Sequence, residues 1–413
     1  MPVAGARTLP PPRGRPDLAT VERHHPIVRT AFASTYPPRR CGIAAFTQSL
    51  AAATESREIV ALHHVQQTER YPLEVHHRVR RDVRADYSAV ARSLGACVDV
   101  ASIQHDYGIW GGEDGSHVLD FVGALDVPAV ATLHTVRQYP TVRQRAILTS
   151  LVGAVATTVV MSRAAAARLT STYGVDPARV EVIPHGVPDL PLVESAALKE
   201  ALGLTGREVL LSFGLLARGK GYELAIEALP AVVKAHPNVC YVVVGATHPD
   251  ELAREGETYR TSLLARVTAL GLNDHVRFVD RFVGRVELVR WLEAADVFVT
   301  PNGDLDQIVS GTLSYAMGAG RAIVSTPYAA AAELLGDGRG VLVPPGSPSQ
   351  LASAIVEVLG DPDLRSSLGA TAYAHSRRMV WSEVAGDYRR LFDRISTQAN
   401  LVAAQMPFAA AHA

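Results

Sequence analysis

The residues from Gln307 to Gly320 have the pattern of a binding site for an anionic group. An apolar run and a Pro-Asn-Gly turn precede this stretch and a second apolar run follows it, which predicts strand, loop, helix and strand. Backbone N–H groups at a helix N-terminus attract anions, and Ser310, Gly311 and Thr312 would stand at that terminus. The alternative is an ordinary Ser/Thr helix cap with small residues for close packing.

A glycine turn earlier in the same half carries two basic side chains, Arg218 and Lys220. Lysine otherwise occurs only at two positions, because nearly all basic residues are arginines. The turn follows a predicted strand that ends near Gly214, and the next predicted strand ends at Gly245. These features predict a clamp for a phosphate or diphosphate, with solvated charges in a turn as the alternative.

In the first half, Arg39 and Arg40 precede Gly42, where a helix is predicted to begin. A glycine before a helix N-terminus, with two guanidinium groups beside it, suits a phosphate or an array of sugar hydroxyls. A plain turn with solvated arginines is the competing interpretation.

A glycine-rich loop follows the predicted strand near residues 98–104 and combines acidic, aromatic and histidine side chains. Aromatic faces stack on the C–H faces of sugars while polar groups bind the hydroxyls, so the loop predicts a sugar site; a mobile surface loop is the alternative. His134 ends the next predicted strand and would bind a sugar hydroxyl or orient a leaving group, unless it is a satisfied core histidine. The candidates in the loop are His105, Asp106, Trp110, Gly111 and Gly112.

Short runs rich in Val, Ile and Ala alternate with longer amphipathic segments along the chain. Continuous apolar strands are typical of parallel sheets covered by helices, so the pattern predicts an α/β protein with two Rossmann-like doubly wound domains facing a cleft. Ligands bind beyond the carboxyl ends of such strands, and every candidate residue falls there. The predicted strands lie near 28–33, 59–64, 98–104, 129–134, 157–162 and 180–184, and then near 209–215, 241–245, 276–279, 297–300, 322–325 and 341–344.

The same pattern divides the chain into segments. We expect a disordered tail, an acceptor-side domain, a linker, a donor-side domain, a crossover helix that packs back on the first domain, and a second tail. In chain order these are residues 1–25, 26–190, 191–206, 207–380, 381–398 and 399–413.

Composition excludes several classes of partner. The net charge of −1 over 413 residues gives no general attraction to nucleic acid. The three cysteines are far apart and no signal-peptide pattern is visible, so a reducing, cytoplasmic location is expected. Asp304 and Asp306 match an Asp-x-Asp metal motif only formally, and we expect neither a metal nor a cofactor. Contact with a membrane and the oligomeric state are left open.

These loops, in this order, resemble the retaining glycosyltransferases of the GT-B fold, in particular glycosyltransferase family 4. The resemblance covers about residues 26–396 and implies a nucleotide-sugar donor bound mainly by the C-terminal domain and a carbohydrate acceptor bound mainly by the N-terminal domain. The motifs that carry it are Pro38-Arg-Arg-Cys-Gly42, Leu133-His134, Val182-Ile-Pro-His-Gly-Val187, Phe213-Gly214 through Lys220-Gly221, Ala316-Met-Gly-Ala-Gly320 and Val341-Leu-Val-Pro-Pro-Gly346.

The chain departs from this family at the donor site. Glutamates usually stand at the positions of Gln307 and Tyr315, where the resemblance implies contacts to the donor sugar and the ribose. Leu215 replaces the usual arginine after Gly214, so Arg218 is a shifted substitute and Lys220 alone keeps its place. A nucleotide would therefore be recognised without the two carboxylates.

By this resemblance the chain is expected to be a retaining hexosyltransferase, with mannose or glucose as the sugar. His134, Arg218 and Lys220 would be catalytic, and the loops near Gly42 and Trp110 would bind the acceptor. The missing glutamates leave two alternatives open: a glycoside phosphorylase or sugar-phosphate-using transferase, and a catalytically silent sugar- or nucleotide-binding partner. The expected donor-binding residues are Gly214, Gly245, Gln307, Ser310, Gly311, Thr312 and Tyr315.

Overall fold

The computed structural model of the protein describes residues 28–64, 70–193 and 195–409, and over these the first half forms one parallel sheet. Its strand order is β3-β2-β1-β4-β5-β6-β7, and the order in which the chain adds strands reverses between β1 and β4. The strands are β1 (Thr30–Ser34), β2 (Glu58–His63), β3 (Val75–Arg80), β4 (Val100–His105), β5 (Ala129–Leu133), β6 (Thr157–Val160) and β7 (Val180–Val182). The helices are α1 (Gly42–Ala53), α2 (Arg84–Leu94), α3 (Val118–Val122), α4 (Val142–Ala154) and α5 (Arg163–Tyr173).

The second half forms another parallel sheet, in the order β10-β9-β8-β11-β12-β13. Its strands are β8 (Glu208–Phe213), β9 (Val239–Val244), β10 (Val276–Val279), β11 (Val297–Thr300), β12 (Ala322–Ser325) and β13 (Val341–Leu342). The helices are α6 (Ala196–Ala201), α7 (Tyr222–Ala235), α8 (Pro249–Glu255), α9 (Thr258–Ala269), α10 (Arg285–Ala294), α11 (Gly311–Gly318), α12 (Ala329–Leu334), α13 (Pro348–Gly360), α14 (Pro362–Ser376) and α15 (Trp381–Ala409).

The two doubly wound α/β domains confirm the predicted fold class. The apolar runs are central strands because both of their faces are buried: in β1, Ala31 and Ala33 join one core while Phe32 joins the other. Sequence patterns missed β3, an edge strand whose polar residues alternate with buried Val75 and Val79. An edge strand needs only one buried apolar face, and its other face can carry polar residues. Its composition therefore does not resemble that of the central strands.

α15 packs back across the first domain, as predicted. The Phe392 ring centroid lies 6.1 Å from that of Phe32, and the Tyr388 hydroxyl is 3.0 Å from Thr132 Oγ1. The helix continues to Ala409, beyond the predicted end at 398, because the segment that follows is rich in alanine, the strongest helix former. The predicted tail 1–25 lies outside the described residues, and α6 lies within the predicted linker. Within the described residues, none of the helices has an apolar stretch of the length needed to span a lipid bilayer.

A loop and a helix of the second domain contact the first domain directly. Ile308 is buried in the core of the first domain, and its carbonyl oxygen accepts a hydrogen bond from Ser162 Oγ at 3.0 Å. The Glu333 carboxylate on α12 accepts the N–H groups of Arg163 and Ala164, both at 3.0 Å, at the start of α5. A carboxylate is favourable at a helix N-terminus, so Glu333 fixes α12 to the first domain. The Ile308 contact holds the loop before α11 against the same domain.

We predict that Glu333→Ala lowers the free energy of unfolding by about 0.5–2 kcal/mol, the usual cost of losing a helix cap. The reason is that two N–H groups of α5 would lose their acceptor. Urea denaturation monitored by fluorescence would measure it. Glu357→Ala is the matched control, because Glu357 is an exposed glutamate inside α13. Equal destabilisation by the two variants would contradict the interdomain cap.

Candidate active site between the two domains

The N-terminus of α11 is the centre of the predicted donor site. Ser310 caps the helix: its Oγ accepts a hydrogen bond from the Leu313 N–H at 3.3 Å, and the Tyr328 hydroxyl donates to the same oxygen at 3.2 Å. The N–H groups of Gly311 and Thr312 stand at the open end, where the helix dipole is positive. Ser310 therefore serves the cap, and these two N–H groups are available to a ligand.

Two glycines bring the edge of the second sheet against this helix. Gly214 has a φ of 134° and Gly245 a φ of 152°, both unfavourable for other residues. A Cβ at Gly214 would lie 3.3 Å from Thr312 Cγ2, and a Cβ at Gly245 would lie 1.9 Å from the Gly214 carbonyl oxygen. The ends of β8 and β9 thus form a wall of bare backbone beside α11.

A tight turn carries Lys220 to the loop that follows β11. Gly221 has a φ of 78°, and a Cβ there would lie 1.9 Å from the Pro301 carbonyl oxygen. The Gly303 N–H also donates to the Gly219 carbonyl oxygen at 2.8 Å. Glycine is therefore required at Gly221 for this turn to pack against the loop and bring the Lys220 side chain to it.

The side-chain amide of Gln307 is hydrogen-bonded on both sides. Its Oε1 accepts from Lys220 Nζ at 2.8 Å and from Asn302 Nδ2 at 2.5 Å. Its Nε2 donates to the Val309 carbonyl oxygen at 2.7 Å. A glutamate could not make this last contact, because both oxygens of a carboxylate are acceptors. Gln307 therefore braces the loop that leads into α11.

Lys220 keeps a positive charge that Gln307 does not neutralise. Partial loss of water around its ammonium group lowers the pKa of Lys220, and the Asp304 carboxylate opposes this effect. The residue as a whole is exposed to solvent, and its Nζ donates to the neutral Gln307 amide. Arg218, in contrast, is paired with Glu255 at 2.9 Å and lies over the Tyr259 ring. Lys220 is thus the cation of this turn that remains for a ligand.

His134 stands at the carboxyl end of β5 in the first domain. Its Nε2 lies 2.9 Å from Gln104 Oε1, and an amide oxygen can only accept, so Nε2 carries the proton and Nδ1 has the lone pair. Burial is the main cause that lowers the pKa of His134 to about 3, with repulsion from His185 and His105 adding to it and Asp106 opposing it. The imidazole is therefore neutral at physiological pH.

Sequence patterns did not single out His185, which the structure places at the domain junction. Its Nδ1 donates to the Gly186 carbonyl oxygen at 2.8 Å, and its Nε2 lies 2.8 Å from the position of a Cβ on Gly311. The Phe46 ring centroid is 5.0 Å from that of His134 and 5.1 Å from that of His185. Burial lowers the pKa of His185 to about 4. Its position in the motif Val182–Val187, directly after β7, is the sequence signal that could have identified it.

Tyr315 lies one turn after Gly311 on α11 and packs at the same junction. Its ring centroid is 6.1 Å from that of His185 and 6.4 Å from that of Phe213. Burial raises the pKa of the Tyr315 hydroxyl. An aromatic ring therefore occupies the position at which the family resemblance implies a carboxylate.

Two family models match the chain one after the other. The model described as Glycosyltransferase Family 4 matches residues 33–189, and the model described as Glycosyl transferases group 1 matches residues 207–361. The chain belongs to glycosyltransferase family 4. The two matches follow the two sheets of the structure. The first match ends after β7, and the second begins at residue 207, next to the start of β8.

The curated relatives of this chain include enzymes named for inositol-containing substrates. A D-inositol 3-phosphate glycosyltransferase of Kineococcus radiotolerans is 31% identical over 52% of this chain and 52% of that protein. A phosphatidyl-myo-inositol mannosyltransferase of Mycobacterium leprae is 30% identical over 53% of this chain and 55% of that protein. The chain spans about half the length of the curated relatives it matches.

Solved structures share the GT-B fold with this chain. HepE from Anabaena, solved in complex with UDP and glucose, has a TM-score of 0.72 at 17% identity and covers 89% of this chain and 100% of its own. Sucrose-phosphate synthase from Thermosynechococcus elongatus has a TM-score of 0.73 at 17% identity over 90% of this chain and 100% of its own.

Part of the predicted acceptor site, in the glycine-rich loop after β4, is wrong. Trp110 is 0% exposed, and its Nε1 donates to the Gln104 carbonyl oxygen at 2.9 Å, so its ring cannot stack on a sugar. A Cβ at Gly111 would lie 1.8 Å from the Arg81 carbonyl oxygen, and one at Gly112 would lie 2.4 Å from Ser116 Oγ. The glycines allow this tight packing, because burying the indole requires the loop to fold onto the domain.

His105 and Asp106 are also held within the protein. His105 is 0% exposed, and neither ring nitrogen has a hydrogen-bond partner among the described residues. Burial lowers the pKa of His105 to about 4. Asp106 accepts from Thr135 Oγ1 at 2.5 Å and from the Gly108 N–H at 2.9 Å. His105 therefore cannot contact an acceptor here, and Asp106 supports its own loop.

In the loop after β1, Gly42 is exposed to solvent, and so is at least part of each arginine side chain. Cys41 caps α1, since its Sγ accepts from the Ala44 N–H at 3.3 Å. A Cβ on Gly42 would meet nothing within 4 Å. Arg39 is half-buried and Arg40 is exposed.

The described part of the chain holds a further cavity and no cluster of metal-ligand side chains. There, no group of three or more His, Cys, Asp or Glu side chains is placed to hold a metal ion. A cavity of about 380 Å³ lies at the amino end of β1, lined by Arg29, Arg57 and Arg389 among others. It contains none of the candidate residues and lies at the amino-terminal ends of the strands, opposite the carboxyl ends where the candidate residues stand.

We predict that acid destabilises the protein partly through His105. Its pKa is about 6.5 when unfolded and about 4 when folded, so the unfolded state binds more protons below pH 6.5. The stability that neutral His105 contributes is complete above pH 6.5 and is lost as the pH falls toward 4, by at most about 1.4 kcal/mol per pH unit. In His105→Leu, the free energy of unfolding should fall less between pH 6.5 and 5 than in the wild type. Urea denaturation at pH 8, 6.5 and 5 measures this difference, and parallel curves would contradict it.

We predict that Gln307→Glu weakens the donor loop rather than restoring a family-like site. The new carboxylate would place an acceptor against the Val309 carbonyl oxygen and would neutralise Lys220. Leaving such a polar group without its partner costs about 1–3 kcal/mol. Unfolding free energy and the affinity for a nucleoside diphosphate should both decrease. Gln307→Met, which keeps the size but adds no charge, separates the loss of the hydrogen bonds from the charge effect; a more stable, tighter-binding Glu variant would refute the prediction.

Proposed function

We propose that this glycosyltransferase transfers a hexose, mannose or glucose, from a nucleoside-diphosphate sugar to a sugar-containing or polyol acceptor, with retention at the anomeric carbon. The supporting observation is the convergence of Lys220 and the N-terminus of α11 with His134 and His185 around one junction. HepE, a structural neighbour solved with UDP and glucose, supports the donor class. The inositol-containing names of the curated relatives support a polyol acceptor.

In this proposal the second domain stabilises the leaving diphosphate. As the bond from the sugar to the phosphate breaks, negative charge develops on the phosphate oxygen. The ammonium of Lys220 and the N–H groups of Gly311 and Thr312 would stabilise that charge from fixed positions. The bare backbone at Gly214 and Gly245 would let the diphosphate approach closely.

The histidines would orient the sugar without transferring a proton. With a pKa of about 3, His134 is neutral, and its Nδ1 can accept a hydrogen bond from a sugar hydroxyl. The family resemblance implies that the acceptor hydroxyl attacks the face from which the diphosphate leaves. The new bond to the acceptor oxygen forms, the bond to the phosphate breaks, and the leaving phosphate takes the proton of the hydroxyl.

A second candidate is a phosphorylase or a transferase that uses a sugar phosphate. The observation in its favour is that Gln307 and Tyr315 offer no carboxylate to ribose hydroxyls. A simple phosphate would still meet Lys220 and the start of α11. Calorimetry with a panel of nucleoside diphosphates and with inorganic phosphate separates the candidates. Tight binding of one nucleoside diphosphate excludes the second candidate, and binding of phosphate alone excludes the first. Binding of neither, with no sugar transfer, favours the silent partner.

We predict that Lys220→Ala weakens nucleoside diphosphate binding roughly ten- to hundredfold, the effect of one lost charge-assisted hydrogen bond. The rate of sugar transfer should fall at least as much, because the charge on the leaving group is largest in the transition state. Titration calorimetry measures the first effect. Lys234→Ala, at an exposed position of α7, is the matched control. Unchanged affinity and turnover in Lys220→Ala would refute the proposed role.

We further propose that the protein works in the cytoplasm. All three cysteines are free: Cys41, Cys97 and Cys240. Cys41 serves as a helix cap through its thiol, which a disulfide would compromise. Thiols that are used in this way suit a reducing compartment.

A further inference from the structure

Basic side chains follow three neighbouring strands of the first sheet. Arg39, His64 and Arg81 come after β1, β2 and β3, which lie side by side in the order β3-β2-β1. His63 of β2 is level with Arg80 of β3, so the residues that follow them leave the sheet at the same edge. None of these strands carries the reaction-side histidine His134, which follows β5.

Two of these side chains have polar atoms that nothing in the described chain satisfies. Arg39 Nε and His64 Nε2 are buried and have no hydrogen-bond partner within residues 28–64, 70–193 and 195–409. Buried polar groups are normally paired, and an unpaired one marks a strained or ligand-binding position. Nearby arginines show the usual pattern, since Arg80 and Arg84 pair with carboxylates.

Arg81 is held in position by the backbone of the neighbouring loop. Its Nε donates to the Trp110 carbonyl oxygen and its Nη2 to the Gly108 carbonyl oxygen, both at 3.3 Å. Among the described residues, the carboxylate paired with Arg81 is that of the exposed Asp82, whose Oδ1 lies 4.0 Å from Nη1. The buried loop around Trp110 therefore orients a guanidinium group whose charge is only weakly compensated.

The charges of these groups act on one another. Burial is the largest of the causes that lower the pKa of His64 to about 3, followed by repulsion from Arg39, Arg81 and His63. The side chains thus lie within electrostatic range of one another. Within residues 28–64, 70–193 and 195–409 neither Arg39 nor His64 is paired with a carboxylate, so the potential there is positive. A bound anion would relieve the repulsion and would supply acceptors for the unsatisfied nitrogen atoms.

Phosphate is the anion that this arrangement suits. Guanidinium groups bind phosphate oxygens in a planar, two-pronged geometry, and donors from three strands can surround a tetrahedral group. β2 and β5 are separated by β1 and β4, or roughly 14 Å at the usual spacing of strands. The side chains of His64, after β2, and His134, after β5, take up part of this distance. The remaining gap between them corresponds to about one sugar or polyol ring.

We propose that Arg39, His64 and Arg81 bind a phosphate group of the acceptor, whose reacting hydroxyl lies toward His134. This rests on the proposed function, because it takes the first domain to be the acceptor side. It adds the chemical class of the acceptor: a phosphorylated polyol or sugar, either free or as a lipid headgroup. The donor diphosphate has its own cation, Lys220, in the other domain.

Calorimetry on the full chain tests the proposal with inorganic phosphate, myo-inositol 1-phosphate and myo-inositol as probes. The wild type should bind myo-inositol 1-phosphate at least tenfold more tightly than myo-inositol. Arg39→Gln should lose that preference. Arg84→Gln is the matched arginine control, and it should keep the preference, as should Lys220→Ala, which removes only the donor-side cation. A protein without this preference, or Arg39→Gln that retains it, would overturn the proposal.

A readout at His64 separates binding from a merely structural role. Histidine NMR signals should show the pKa of His64 rising when phosphate is added, because a bound anion stabilises the imidazolium. His64→Gln provides a second variant should Arg39→Gln not fold, and thermal unfolding checks both. A His64 signal that does not move at saturating phosphate would overturn the assignment. Failure of nucleoside diphosphate binding alone would instead count against the proposed function.

Vesicles distinguish the two sources of the phosphate. Co-sedimentation with phosphatidylinositol vesicles, but not with phosphatidylcholine vesicles, and its loss in Arg39→Gln would assign a lipid headgroup. Preference for soluble myo-inositol 1-phosphate without co-sedimentation would assign a free phosphorylated acceptor. Either result supports the shared chemistry, whereas equal co-sedimentation of Arg39→Gln and the wild type would contradict the lipid arm.

Discussion

The side-chain amide of Gln307 determines where the loop between β11 and α11 stands, and the candidate site depends on that position. On one side the amide accepts from Lys220 and Asn302, and on the other it donates to the Val309 carbonyl oxygen. The next residue, Ile308, is buried in the core of the first domain. One neutral group thus joins the cation, the loop and the interdomain contact, which explains why a glutamate would not be a simple replacement here.

Electrostatics in the junction combine accessible cations with neutral histidines. His134 and His185 are held uncharged by burial, while Lys220 remains exposed at the cleft. Gln307 and Tyr315 add no negative charge where the family resemblance implies two carboxylates. Because the net charge of the chain is only −1, this positive potential is local and arises from the placement of a few groups. Such a site favours anionic ligands, in agreement with the diphosphate donor that we propose.

Much of the fold follows from local pattern. Central strands are read easily because both of their faces are buried, and the glycines at 214, 221 and 245 are required by close backbone contacts. The strand β3 was missed because an edge strand needs only one apolar face. In the candidate site, the start of α11 and Lys220 were predicted from glycine, hydroxyl and lysine spacing. Trp110 and His105 were misassigned, because sequence does not distinguish an aromatic ring or imidazole in a cleft from one in a core.

The sequence by itself determined the two parallel sheets, the loops at their carboxyl ends and the family, since these depend on local periodicity and on short motifs. Only the tertiary structure decided which side chains meet. It joined Gln307 to Lys220 across the second domain, placed His185 against α11, and buried Trp110 beneath Arg81. Contacts of this kind depend on distances between residues far apart in the chain and on burial. Packing of the whole molecule sets both, and no local pattern contains them.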